Sequence, residues 1–246
     1  MSNDTNELPG QETLLACWNA LAALSPGGRL VETGGAIAAV FPSWMPLNNA
    51  ILPVRSDPAT ESTAVAALRE LYEEAAVPVW ALWRPTRAAD LDVADGVGPL
   101  EELKRDTTTL VMQTALHPAL RQHQAVVPAS IADVARFDED VAIHASELAD
   151  PEDVPGLSGW VLLEDGFVAS AAWSFVHGTD CGVYAVETVP RWRRRGFARA
   201  LMEHLLADGR RQGATTASLQ STRMGQRLYE SLGFAAVGRY EEWIWQ

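Results

Sequence analysis

Two stretches of the chain carry the same alternation of apolar and polar positions around a glycine-containing turn. The first is GGRLVETGGAIAAVFP, from Gly27, and the second is SGWVLLEDGFVASAAW, from Ser158. Each stretch predicts two strands joined by a tight turn, because Gly-Gly and Asp-Gly accept the positive backbone angles of short hairpin turns. One constant offset of 131 residues relates Gly35 to Gly166 and the two stretches to each other.

The elements predicted after each hairpin also follow the same order. In the second half they are the strand CGVYAVETV, a loop, a helix over residues 197–212 with apolar residues along one face, and the strand TTASLQ. In the first half they are the strand NNAILPV, the loop RSDPATES, a helix over residues 63–76 and the strand VPVWALW. This periodicity predicts an α/β fold. We expect two copies of one unit, residues 1–120 and 121–246, each a central mixed β-sheet flanked by helices.

Composition narrows the class of protein. The 246 residues carry a formal net charge of -13, whereas nucleic-acid-binding proteins usually present a basic face. The longest mostly apolar stretch, LLACWNALAAL, is too short to span a bilayer, and the chain does not begin with a secretory signal. Cys17 and Cys181 stand alone, which predicts neither a metal site nor a disulfide framework and favours the cytoplasm. We therefore expect no nucleic acid, no membrane and no metal, and a slight preference for cationic partners.

Positive charge is concentrated at one point of this acidic chain. Five arginines fall within nine residues of the segment PRWRRRGFARAL, between a predicted strand and a predicted helix. The first turn of a helix has N–H groups without intrahelical partners, and Gly196 lets the backbone approach an anion closely. The segment therefore predicts a cradle for phosphate or pyrophosphate. On the loop alone, the alternative is a solvated basic patch or a contact with an acidic partner surface.

The same segment resembles the coenzyme A pyrophosphate loop of the GNAT superfamily of N-acetyltransferases. The pattern Arg/Gln-x-x-Gly-x-Gly/Ala is matched by Arg193, Gly196 and Ala198. Further on, MGQRLYESLGF is similar to the C-terminal signature of that family. The detailed resemblance spans about residues 158–245. Two departures are Arg194, at whose position the family often has glycine, and Ser221, near which the family often has asparagine.

The resemblance implies a fold, an activity and partners. More loosely, the whole chain is similar to tandem GNAT proteins whose first copy has lost its cofactor loop. Such a protein would be a cytoplasmic N-acetyltransferase that moves the acetyl group of acetyl-CoA to a primary amine of a small molecule or peptide. Its one active site would lie in the second copy, and a homodimer is compatible with the resemblance. Two other functions stay open: an acyl-CoA sensor without turnover, and a structural subunit with a vestigial loop.

The cofactor contacts of the family carry over to this chain position by position. The strand end before the loop would hold the pantetheine arm like an added strand. The backbone amides of residues 194–199 would hold the pyrophosphate. The cofactor-binding residues implied in this way are Val186, Glu187, Thr188, Val189, Arg193, Arg194, Arg195, Gly196, Phe197, Ala198 and Arg199.

Tyr229 and Glu187 are the catalytic residues that the resemblance implies. Tyr229 matches the tyrosine that protonates the departing sulfur, and its alternative role is packing on the last helix. Glu187 would accept the proton of the amine, but it could equally recognise a cationic substrate or be an ordinary strand-end charge. His177 and Asp180 are further candidates for the base. His204, in mid-helix among charged neighbours, is predicted to lie on the surface.

The acceptor pocket is less well defined by the sequence. Trp243 and Trp245 alternate on the last predicted strand, where they could line such a pocket. Burial in the hydrophobic core is the other interpretation of two tryptophans at this spacing.

Overall fold

The chain divides into two compact units, and neither unit is a single continuous piece of sequence. The computed structural model describes residues 7–41, 48–90, 100, 102–135, 137 and 142–246. The first unit comprises Met1–Met112, Gln220–Arg227 and Ala235–Gln246, and the second comprises Gln113–Leu219 and Leu228–Phe234. As limits of two sequence copies, residues 1–120 and 121–246 stay a prediction.

Helices and strands alternate along most of the described chain. The helices are α1 (Gln11–Leu24), α2 (Pro58–Glu74), α3 (Ile131–Ala135), α4 (Phe197–Arg211) and α5 (Gln226–Glu230). The strands are β1 (Arg29–Thr33), β2 (Ala36–Val40), β3 (Asn48–Ile51), β4 (Trp80–Arg87), β5 (Lys104–Ala115), β6 (Val126–Ala129), β7 (Leu157–Glu164), β8 (Phe167–His177), β9 (Asp180–Thr188), β10 (Thr216–Ser221) and β11 (Ala235–Trp245). Short 3-10 turns cover Ala88–Asp90, Ala145–Glu147 and Pro190–Trp192. Within the described ranges, no helix is both long and apolar enough to cross a membrane.

The first unit contains a mixed sheet with the strand order β1-β2-β3-β4-β11, followed by most of β5. β3 and β4 run parallel. β1 is antiparallel to β2, β2 to β3, and β11 to β4. The last strand of the chain therefore lies in the sheet that contains the first strand.

The second unit also contains a mixed sheet, with the strand order β10-β9-β8-β7-β6. β9 and β10 run parallel, and the other neighbours are antiparallel. Helix α4 packs on this sheet and buries Leu201 and Leu205 completely. It lies so close to β9 that a Cβ on Gly209 would be 2.6 Å from Sγ of Cys181. The mixed α/β fold class predicted from the sequence is confirmed.

Both predicted hairpins are present. Gly34 and Gly35, with φ of 57° and 82°, join β1 to β2. Asp165 and Gly166, with φ of 52° and 81°, join β7 to β8. Left-handed backbone at both central residues explains the Gly-Gly and Asp-Gly pairs, because these residues tolerate it. The helix predicted over residues 197–212 is likewise confirmed as α4.

Helix α2 begins five residues earlier than the predicted range 63–76. Asp57 caps the helix, since its Oδ1 accepts the backbone N–H of Thr60 at 2.7 Å. Pro58 occupies the first helical position, where its missing N–H costs nothing. Much of the predicted loop RSDPATES is therefore the start of a helix, and the Asp-Pro pair is the sequence signal that marks it.

Trp243 and Trp245 contribute to the hydrophobic core of the first unit. Trp243 is buried in the core cluster, and Trp245 packs against it. The ring of Trp245 stacks on that of Trp80 with centroids 5.9 Å apart. Trp80 stacks in turn on Tyr72 at 5.2 Å. Core burial is thus the correct interpretation of this pair.

Candidate active site

Strand β9 changes its pairing where the predicted cofactor-binding residues begin. Its parallel ladder with β10 runs from Asp180 to Val183. Its antiparallel ladder with β8 then shifts register around Ala185, whose φ is 50°. A bulge of this kind bends a strand and changes the direction of its side chains. Residues 186–189 therefore lie on a bent strand end.

Hydrogen bonds to β8 fix this strand end. Oγ of Ser170 donates to the carbonyl of Glu187 at 2.5 Å and lies 2.9 Å from Oγ1 of Thr188. The N–H of Val189 donates to the carbonyl of Ala169 at 3.0 Å. Sequence reasoning missed Ser170, because its partners lie on the neighbouring strand and no local pattern marks them.

The arginine-rich segment begins with a buried tryptophan. Trp192 is buried, and its N–H donates to the carbonyl of Val189 at 2.9 Å. The guanidinium of Arg191 lies 4.1 Å from the centroid of the Trp192 ring. Nε of Arg193 donates to the carbonyl of Thr188 at 2.9 Å. The path from strand to helix is therefore fixed by contacts within the segment.

The cradle, which we define as residues 193–199, contains an uncapped helix N-terminus. Gly196 is the N-cap of α4, with φ of 88°, and no side chain caps the helix there. Arg194 is also left-handed, with φ of 65°. Backbone turns of this kind point successive N–H groups towards one place, which suits an anion. A Cβ on Gly196 would meet no atom within 4 Å, so the space beside this N-cap residue is open.

Besides Arg193, two further arginines of the cradle contact protein atoms through their guanidinium groups. Arg195 donates to Oε1 of Glu164 at 2.5 Å and lies 5.0 Å from the ring centroid of Phe197. Arg199 donates to Oγ of Ser231 at 2.6 Å. These two side chains are therefore held by the protein itself, beside the cradle.

The N-terminus of α2, in the first unit, is already occupied by a side chain of the chain itself. The carboxylate of Asp57 accepts the N–H of Thr60, and this bond lowers the pKa of Asp57. Pro58 has no N–H to offer. Arg55, the one arginine of this loop, is bound through two nitrogens to Asp90. An anion would therefore have to displace an intramolecular carboxylate here, whereas no such group caps α4.

We expect one coenzyme A site per chain. Calorimetric titration with coenzyme A should give a stoichiometry near one, because the Asp57 carboxylate occupies the N-terminus of α2. Asp57→Ala should cost about 0.5–2 kcal/mol of unfolding free energy, and no second site should form, because Pro58 still lacks an N–H at the first helical position. Two equivalent sites in the unmodified chain would contradict this prediction.

Tyr229 lies on the short helix α5 and is buried. Burial raises the pKa of its hydroxyl to about 12, so the phenol keeps its proton at neutral pH. Its ring packs edge-on against Phe234, with centroids 6.0 Å apart. A protonated phenol suits a proton donor, and the ring contact suits a packing residue. The catalytic role therefore stays a prediction.

Glu187 lies on the bent end of β9 with its side chain exposed, next to the cradle in sequence. The other two candidates for the base lie elsewhere. His177 ends β8 and Asp180 begins β9, and the two residues pair with each other at the opposite end of β9. Oδ1 and Oδ2 of Asp180 accept the hydroxyls of Thr216 and Ser218 at 2.8 and 2.6 Å. At about 3.3 Å per strand residue, Asp180 is roughly 23 Å from Glu187. Of the three candidates only Glu187 is close to the cradle in sequence, and its role as the base stays a prediction.

His204 is buried, so its predicted surface position is wrong. Nδ1 of its ring accepts the backbone N–H of His123 at 3.1 Å, and the ring centroid lies 4.6 Å from that of Trp160. Burial lowers the pKa of His204. The sequence contained a signal for this, because position 204 is one turn from the buried Leu201 on the same helix face.

A comparison with protein families finds a similarity over the stretch of the chain that contains the cradle. Residues 120–234 match the model described as Acetyltransferase (GNAT) family. This range covers a little under half of the chain and includes the bent strand end, the cradle and Tyr229. This part of the chain is therefore similar to the GNAT family of acetyltransferases.

A relative with an assigned activity is similar over part of this region. The ribosomal protein bS18-alanine N-acetyltransferase of Escherichia coli (strain K12) is 33% identical over 76 residues, which are 30% of this chain and 51% of that protein. The chain spans about half the length of the curated relatives it matches.

Solved structures with a similar fold match nearly the whole length of this chain. A GCN5-related N-acetyltransferase from Kribbella flavida is similar with a TM-score of 0.62 and 16% identity, covering 95% of this chain and 94% of that one. A GNAT-family acetyltransferase from Novosphingobium aromaticivorans is similar with a TM-score of 0.57 and 19% identity, covering 96% of each chain. At these identities the similarity concerns the fold.

Proposed function

We propose that this chain is an N-acetyltransferase that transfers the acetyl group of acetyl-CoA to a primary amine of a small molecule or peptide. The observation that carries the proposal is the uncapped N-terminus of α4 at Gly196, directly after a bulged strand. A helix N-terminus without a side-chain cap attracts an anion, and the bent strand supplies backbone groups beside it.

The strand end offers two residues to the pantetheine arm. The Glu187 carbonyl and the Val189 N–H are bonded to β8. Because backbone groups alternate along a strand, those of Val186 and Thr188 face the other edge, where the Thr188 carbonyl already accepts Nε of Arg193. The amides of residues 194–199 would hold the pyrophosphate, and the arginines around them would add positive charge.

The chemistry assigns one proton transfer to each candidate catalytic residue. When the amine nitrogen bonds to the acyl carbon, the amine becomes more acidic and loses a proton to Glu187, directly or through water. When the carbon–sulfur bond breaks, the thiolate takes a proton from Tyr229. Burial keeps that proton on Tyr229 until the sulfur becomes negative, since the pKa of the phenol is raised.

The proposal includes two GNAT-like copies, with limits near residues 1–120 and 121–246 and with the cofactor site in the second. The matching left-handed turns at residues 34–35 and 165–166 support a common origin of the two hairpins. The capped N-terminus of α2 supports the loss of a cofactor loop in the first copy.

The proposed surroundings are cytoplasmic, because both cysteines are buried free thiols. The acceptor is proposed as a small-molecule or peptide amine, and no nucleic acid or membrane takes part. The name of the E. coli relative makes a peptide with an N-terminal alanine one of the amines to try. A homodimer is compatible with this function.

The test is consumption of acetyl-CoA with a panel of small amines and of peptides with free N-termini. We expect free thiol to be released with at least one acceptor, faster than in the control without an amine. Binding of acetyl-CoA without thiol release from any acceptor would favour the sensor instead. No binding at all would leave a structural subunit with a vestigial loop.

A further inference from the structure

We propose that Arg199 is a positioning residue that fixes Tyr229 relative to the cofactor cradle, an inference that rests on the proposed function. The backbone of Arg199 belongs to the first turn of α4. Its guanidinium donates to Oγ of Ser231 at 2.6 Å. Ser231 directly follows α5, the helix that carries Tyr229. One side chain thus joins the two elements that the reaction needs at a fixed separation.

Ser231 extends this contact to the backbone around Tyr229. Its Oγ donates to the carbonyl of Leu228 at 2.5 Å. The carbonyl of Tyr229 accepts the N–H groups of Leu232 and Phe234 at 2.9 and 3.0 Å. Ser231 is therefore bonded to the residue before Tyr229. It also lies within the turn that the Tyr229 carbonyl closes. A displacement of Ser231 would move the segment that holds the phenol.

A second set of contacts holds the other edge of the guanidinium. Nη1 of Arg199 lies 3.7 Å from Oε1 of Glu203, one helical turn later. Oε2 of Glu203 lies 3.0 Å from Nε2 of His123, whose backbone N–H donates to the buried His204. The guanidinium is thus held between α4 and Ser231, although 43% of the Arg199 side chain is exposed.

The same geometry separates the role of the Arg199 side chain from that of its backbone. The backbone N–H lies at the open helix N-terminus, where an anion would bind. The guanidinium directs one nitrogen to a hydroxyl and another to a carboxylate of the protein itself. Removal of the side chain should therefore affect the reaction step more than cofactor affinity. A guanidinium that turns to the pyrophosphate would produce the opposite result.

The first test needs no cofactor. In Arg199→Ala and in Ser231→Ala, we expect amide hydrogen exchange at Leu232 and Phe234 to be about fivefold to tenfold faster, because a charge-assisted hydrogen bond near this turn is lost. Arg210→Ala, which removes an exposed arginine at the other end of α4, should leave this exchange unchanged. Unchanged exchange in the first two variants overturns the proposal.

The second test separates chemistry from binding. Arg199→Ala and Ser231→Ala should lower the single-turnover rate at least about tenfold, with the Kd for acetyl-CoA within about twofold of the unmodified chain. Ser231→Thr keeps the hydroxyl and should restore the rate. A tenfold weaker Kd with an unchanged rate in Arg199→Ala would assign the guanidinium to the pyrophosphate and overturn the proposal. If the unmodified chain does not bind acetyl-CoA, the proposed function fails, and the exchange experiment still decides whether Arg199 holds α5.

Discussion

Tyr229→Phe should slow the chemical step of acetyl transfer by about 10²- to 10⁴-fold, the usual contribution of a general acid. The ring and its contact with Phe234 remain, so the fold should survive. Because burial raises the pKa of the phenol to about 12, the proton is present at neutral pH and is lost only as sulfur leaves. Binding of acetyl-CoA should change little, since this interaction strengthens as charge develops in the transition state.

Single-turnover kinetics with an acceptor found in the amine panel would measure this effect without interference from product release. Tyr72→Phe is a matched control, because it also removes the hydroxyl of a buried tyrosine, one that donates to the carbonyl of Ala39 at 2.9 Å in the first unit. It should lower stability slightly and leave the chemical rate unchanged. An unchanged rate in Tyr229→Phe would make Tyr229 a packing residue, and a large loss of cofactor affinity would instead make it a binding residue.

The parts of the fold that sequence reasoning predicted are those encoded by neighbouring residues. The hairpin at Asp165-Gly166 and the helix α4 follow from turn chemistry and from a period of apolar residues. The start of α2 is locally encoded as well, by the pair Asp57-Pro58. The same residues are also typical of loops, and RSDPATES was therefore predicted as a loop. His204 was misplaced for a similar reason, since charged neighbours outweighed its position on the buried face.

The rest of the fold depends on residues that are distant in the chain. The antiparallel pairing of β11 with β4 joins residues about 160 positions apart, such as Trp245 with Trp80, and no local period encodes it. The pairing decides that Trp243 and Trp245 are core residues of the first unit. Ser170 and Ser231 were missed at the candidate site for the same reason, because a serine acquires these roles only from the strand or helix beside it.

The N-termini of α2 and α4 differ in whether a side chain of the chain itself caps the helix. At α2 a carboxylate from Asp57 satisfies the helix, and Pro58 removes a donor. At α4 a left-handed glycine begins the helix without any side-chain oxygen. The helix dipole favours an anion at the N-terminus of α2 and at that of α4 alike. The difference between them is therefore whether the chain supplies that anion itself. A substitution that gives α4 its own carboxylate should therefore reproduce the closed arrangement of α2.

Gly196→Asp makes that substitution. We expect acetyl-CoA to bind at least about tenfold more weakly, a loss of about 1.4 kcal/mol, because the new carboxylate competes for the same N–H groups and repels the pyrophosphate. Gly196→Asn has nearly the same shape and tolerates the left-handed φ of 88° about as well. It should therefore weaken binding less, and the difference between the two variants isolates the effect of charge.

Gly213→Asp is the matched control at the other end of α4. Gly213 also has a positive φ, 107°, and a Cβ on it would likewise meet no atom within 4 Å. Its variant carries the same charge at another glycine with a positive φ but lies beyond the last turn of the helix. Its Kd for acetyl-CoA by calorimetry should therefore equal that of the unmodified chain. If Gly196→Asp folds with an ordinary Tm and binds as tightly as Gly213→Asp, then the N-terminus of α4 is not where the pyrophosphate binds.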